Sequence, residues 1–177
     1  MNVIHPVILL KSPEDTYRYQ ERLEKLLRRC ELWWESKGYF LYHASIKVLW
    51  GHDVALGAEN PWGQVWSRIV DGENYPPKDS LSLVFLKGWS DPRWAGWGGR
   101  PLAVVGDWAL DVIESADTWD DEHAGKLLLH EAGHALGFPH NFTGGTDVMD
   151  YTWHGFNSTL EQLAPTDTIA GCEFGRL

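Results

Sequence analysis

Residues 130 to 140 read His130-Glu131-Ala132-Gly133-His134-Ala135-Leu136-Gly137-Phe138-Pro139-His140, and few strings of eleven residues constrain a fold so tightly. On an α-helix each residue turns about 100°, so side chains four apart lie on one face, a turn apart. His130 and His134 therefore direct their imidazoles at one point. Leu127, Leu128 and Leu129 precede them, and the pattern predicts a helix from about Asp120 to Leu136. That helix must stop if a third side chain is to come round. Gly137 stands where a left-handed C-terminal residue is needed, which glycine adopts at little cost. Pro139 then discourages continuation, so the chain can double back and bring His140 to the same point.

Three histidines converging on one point are the ligand set of a zinc ion with its fourth position open to water, the arrangement of a catalytic rather than a structural site. Glu131 follows the first ligand directly and, in this motif, reaches the activated water without ligating the metal. It would accept the water's proton as a carbonyl is attacked and later pass it to the leaving amine. The chemistry is hydrolysis of a peptide bond or a close amide relative.

Nine residues beyond His140 comes Met149, in Asp147-Val148-Met149-Asp150-Tyr151. The complete H-E-x-x-H-x-x-G-x-x-H string followed by this methionine resembles the metzincin clan of zinc metallopeptidases. The resemblance implies that Met149 forms the floor of the metal site in a Met-turn, packing its thioether beneath the histidines without binding. Ordinary core filling is compatible with that. Tyr151 has two readings, as a residue that ligates zinc or stabilises the transition state, and as one packed near the S1′ wall. Many relatives carry serine two residues before the methionine where this chain has Asp147, which speaks against the matrixin branch and leaves the branch open.

The fold implied by the resemblance is α+β with α/β character. A twisted, mostly parallel sheet with one antiparallel edge strand would carry the active-site helix. A small C-terminal subdomain would hold the Met-turn and a helix. A length of 177 residues suits one domain with one substantial core, an upper subdomain over about 1–140 and a lower one over about 141–177. In metzincins the edge strand pairs with extended substrate. By order along the chain, the segment Gly99 to Gly106 is expected in that role, with Ala103, Val104 and Val105 binding the peptide backbone.

The remaining elements follow from local pattern. Asn2 to Leu10 read as a first strand broken at Pro6. Ser12-Pro13-Glu14-Asp15 has the cap, proline and acids of a helix start, and Leu23, Leu26, Leu27, Cys30 and Trp34 recur at helical spacing up to Gly38. Residues 39–50 read as a strand, 51–79 as a long loop, 81–87 and 102–105 as strands, and Trp108 to Ile113 as a last short one. Thr159 to Leu163 and Thr166 to Ala170 suggest a helical end.

Composition narrows the partners. The formal charge of −10, with no basic block, argues against nucleic acid and against an anionic membrane surface. No run approaches the length of a membrane span. A peptide or protein substrate and a monomeric state are expected. Metzincins are commonly secreted behind an inhibitory pro-segment, which implies an extracellular setting. Met1 to Leu10 lack the basic start of a signal peptide, so the expectation is a trimmed mature domain or a member without either segment. Cys30 and Cys172 stand open between a bridge and two buried thiols.

Eleven tryptophans are present, three of them in the glycine-rich stretch 88–99. They read either as core cover that locks the loop or as an aromatic cleft rim suited to a sugar-bearing substrate. The acids Asp107, Asp111, Glu114, Asp117, Asp120, Asp121 and Glu122 have the hard oxygen chemistry of calcium. They lack EF-hand spacing, and Asp120 with Asp121 serve equally as a helix cap, so calcium is not predicted. His5, His43, His52 and His123 read as structural or surface residues, and His154 as the one of these nearest the cleft. A zinc amidase acting on a cell-wall or modified peptide is the alternative enzyme. A zinc-binding interaction protein without turnover is the alternative outside catalysis. Retention of Glu131, which is not needed to hold metal, argues against the latter.

Overall fold

The computed structural model describes residues 2–10, 12–14, 20–50, 61–67, 69, 80–86, 96–106, 121–140 and 147–150, with backbone alone at 21, 22, 61, 62, 97 and 121–126. Its elements are strand β1 (Asn2–Leu9), helix α1 (Gln20–Ser36), strands β2 (Leu41–His43) and β3 (Lys47–Leu49), short helix α2 (Pro61–Val65), strands β4 (Leu81–Leu86), β5 (Gly96–Gly99) and β6 (Leu102–Gly106), and helix α3 (Asp121–Leu136).

The strands form one sheet in the order β2-β1-β4-β6-β5, with β3 also paired to β1. All pairings are parallel except that of β5 with β6. This is the mostly parallel sheet with an antiparallel edge that the motif implied. Parallel strands buried on both faces read as continuous apolar runs, and every residue of β4 and β6 is buried. Alternate residues serve different layers. Ile4, Ile8, Leu83, Phe85, Ala103 and Val105 face a core shared with α1 and α3. Val7, Leu9, Val84, Leu86, Leu102 and Val104 face a second one with Val65 and Ile69.

Three expectations need correction. The segment 39–50 is two strands rather than one. Even-numbered residues of β1 and the residue after it bond toward this side: Asn2 N–H donates to Phe40 O, the Ile4 carbonyl accepts from Ala44 N–H, and Leu10 N–H donates to Leu49 O. Pro6 therefore faces the same side without an N–H to offer. The ladder breaks there, between Ile4↔His43 and Val7↔Lys47. Secondly, the span 51–79, expected as a loop, includes α2. The first helix is described from Gln20 and Ser12 to Glu14 form a bend and turn, while the start of the helix lies outside the described residues.

The third correction concerns the edge. Ala103, Val104 and Val105 lie in an interior strand, between β4 and β5, and are fully buried. Among the described residues the antiparallel edge is Gly96–Gly99. Low strand propensity hid it, because three glycines in four residues do not read as a strand. The apolar run of β6, meanwhile, is the signature of an interior position. The proposed strand at 108–113 and the C-terminal helices lie outside the described residues. Among those described, no helix is long and apolar enough to cross a membrane.

Candidate metal centre

Helix α3 lies on the sheet with Leu127, Leu128, Leu129, Ala132 and Ala135 in the core. Its functional residues are buried as deeply: His130, Glu131 and His134 are 0%, 1% and 2% exposed. The helix ends as the glycine position predicts. Gly137 has φ of 99°, its N–H donates to His134 O, and Phe138 N–H reaches back to Gly133 O, each at 2.9 Å. That pair of bonds is a Schellman motif. Helix α1 ends identically, with Gly38 at φ 86° and Tyr39 N–H on Trp34 O at 2.9 Å. The residues just past the two glycines then meet: Tyr39 packs edge-on against Phe138 at 5.2 Å, and Trp34 stacks on Phe138 at 5.5 Å. This aromatic cluster fixes where the chain leaves α3 and turns toward His140.

The three histidines converge. His130 Nε2 lies 2.9 Å from His140 Nε2 and 3.0 Å from His134 Nε2, and His134 and His140 are 3.1 Å apart through the same atoms. Their other nitrogens decide what this means. His130 Nδ1 is 2.7 Å from the Val148 carbonyl, and His134 Nδ1 is 2.8 Å from the Phe138 carbonyl. A carbonyl only accepts, so each Nδ1 carries a proton and donates it. Burial also lowers the His134 pKa to about 4, against a partial offset from the Phe138 carbonyl, so its ring is neutral near pH 7. A neutral imidazole has one N–H. The Nε2 of His134 therefore presents a lone pair, with the Nε2 atoms of His130 and His140 only 3.0 and 3.1 Å away. Lone pairs aimed at one point repel unless a cation lies between them, and imidazole suits zinc, copper, iron or nickel. The residues fit a metal ion, and among the described residues they are the group able to hold one.

The turn at 147–150 supplies one of the orienting carbonyls. Asp147 Oδ1 accepts from Met149 N–H at 2.7 Å and Asp147 O accepts from Asp150 N–H at 3.1 Å, closing a turn that presents Val148 O to His130. Asp147 thus has a definite task at the position where relatives were expected to carry serine. Met149 is buried in the α1–α3 core, and its thioether rests on Gly133. A Cβ there would collide with Sδ and sit 3.2 Å from Cε.

Glu131 is not one of the grouped ligands. Among the described residues neither of its buried carboxylate oxygens has a hydrogen-bond partner, and burial holds its pKa well above the usual carboxylate range. Strand β5 covers it, with Gly96 against the carboxylate and Gly98 against the base of His134. Sequence reasoning missed Gly96, Gly98 and Gly133. A signal existed for the first two, since glycines two apart lie on one face of a strand, but their strand was not recognised.

Other expected residues fall elsewhere. Tyr151, His52, His154, Cys172 and most of the tryptophan-rich stretch lie outside the described residues. Cys30 is a buried free thiol. His43 has a structural task, its backbone N–H and Nδ1 meeting Glu31 Oε1 at 2.6 and 2.7 Å.

No protein-family model and no curated protein matches the chain. In structure it is similar to OgpA from Akkermansia muciniphila, with a TM-score of 0.51 and 15% identity over 93% of this chain and 57% of that one. Weaker likenesses are to metalloproteinase-II from Bacteroides fragilis, with a TM-score of 0.45 and 15% identity over 90% of this chain and 51% of that one, and to a chain of a chaperone–substrate complex, with a TM-score of 0.49 and 13% identity over 82% and 25%. The likeness to OgpA is one of fold, and the chain spans little more than half of that protein's length.

Proposed function

We propose that this chain is a zinc-dependent endopeptidase of the metzincin kind, with Met149 in the Met-turn. The observation that carries the reading is the convergence of three Nε2 atoms within 3.1 Å of one another, beside a buried carboxylate outside that group. His130, His134 and His140 would hold the ion, with the Val148 and Phe138 carbonyls fixing two of the rings. When bound, zinc supplies Lewis-acid activation of water and of the substrate carbonyl. Glu131 does the proton work. Buried beside the histidines and outside the ligand group, it would take a proton from the attacking water as the carbon–oxygen bond forms, then give it to the amine nitrogen as the carbon–nitrogen bond breaks.

Substrate positioning follows from the corrected topology. Among the described residues β5 has no partner on its outer side, and it lies directly against Glu131 and His134. An extended peptide added to that edge would receive backbone hydrogen bonds beside the reacting groups.

Cleavage of a diverse peptide mixture, read by mass spectrometry, tests the proposal with wild type beside Glu131→Gln. Stoichiometric zinc is expected in both proteins, with cleavage reduced at least about 100-fold in the variant. Equal cleavage by the two would overturn the role of Glu131. Zinc without any peptide cleavage would shift weight to a narrower amide substrate.

A further inference from the structure

Two glycines of the edge strand have a more specific task than strand formation. Residues two apart in a strand share a face, so Gly96 and Gly98 point the same way. Their partners across the ladder, Val105 and Ala103, face the core under α1 and α3. Side chains are accommodated on β6 but not on β5. A Cβ on Gly96 would overlap Glu131 Oε1 and Cδ outright and lie 3.0 Å from Cγ. On Gly98 it would lie 2.6 Å from His134 Cβ and 3.0 Å from Glu131 Oε2. The first collision is with the working end of Glu131. The second is with the root of a ligand, which cannot swing aside without moving the helix. By contrast, a Cβ on Gly63 would meet nothing within 4 Å.

We propose that Gly96 is a positioning residue for the Glu131 carboxylate: its missing side chain is the seat that the carboxylate occupies, and Gly98 keeps β5 at the same close approach over His134. This deepens the peptidase reading and rests on it for the role of Glu131. Among the described residues the carboxylate has no hydrogen-bond partner, and the bare backbone of Gly96 lies against it. With a methyl group at 96 the carboxylate must rotate away, or β5 must lift from α3. Either change displaces the base from the attacking water while leaving the imidazoles of His130 and His140 untouched.

The test is a double-mutant cycle of Gly96→Ala and Glu131→Ala, read by urea unfolding and by zinc titration, together with steady-state kinetics on a peptide the wild type cleaves. Gly96→Ala is expected to bind zinc within about threefold of wild type. Its kcat should fall about 100-fold with KM little changed, the order of loss when a reacting group is misplaced by an ångström. It should lower the unfolding midpoint in the wild-type background but much less in the Glu131→Ala background, because the group it collides with has gone. Equal destabilisation in both backgrounds would overturn the proposal, as would unchanged kcat. Should Gly96→Ala not fold, recovery of folding in the double variant supports the seat and failure in both refutes it. The unfolding cycle needs no turnover. Absence of peptidase activity would therefore sink the functional reading while the coupling still decides the fate of Gly96.

Discussion

Each of His130 and His134 commits one ring nitrogen to a backbone carbonyl, and that commitment turns the other toward the point the three rings share. The same logic of partners governs Glu31. Burial by itself would raise its pKa, but the His43 backbone N–H, the Arg28 guanidinium and the His43 ring outweigh that and hold it below the ordinary 4.5. A carboxylate whose pKa is lowered on folding stabilises the native state above its unfolded value, and that contribution is lost as pH falls through the folded value. Urea midpoints of wild type and Glu31→Gln should therefore differ most above pH 5 and converge as the pH drops below 4.5. A gap that stayed constant down to acid pH would show that the carboxylate's charge is not what matters there.

At the scale of elements, the two helices that frame the site stop by the same device. Gly38 and Gly137 both sit at positive φ, and the aromatic residues after them pack together with Trp34. The left-handed residue costs a side chain roughly 1–2 kcal/mol, so Gly137→Ala should lose about that much stability. It should also weaken zinc binding about tenfold or more, because His140 follows three residues behind. Isothermal titration beside urea unfolding would separate the two effects. Lost stability with undiminished zinc affinity would mean that His140 is placed by something other than this cap.

At the scale of the whole molecule, a bound ion would tie α3 to the chain that returns from it, and through Val148 to the turn at 147–150. An ion that binds only the folded protein stabilises it by about 2.7 kcal/mol at a free concentration 100 times its Kd. Chelation should then lower the melting temperature by about 5–10 °C, and restored zinc should reverse the shift. An unaltered melting temperature would argue against any occupied site. The candidate metal centre and its helix are legible in the order of residues alone. The spacing of His130 and His134, the stop at Gly137 and the return of His140 are relations between residues a turn or two apart, and helix periodicity and capping act over that range. The tertiary structure alone decided which strand is the edge, which neighbouring ladder Pro6 interrupts, and that Gly96 lies on Glu131. Those depend on pairing between residues tens of positions apart. No local preference encodes such pairing, and a stretch such as Gly96-Trp97-Gly98-Gly99 becomes a strand only because β6 is there to pair with it.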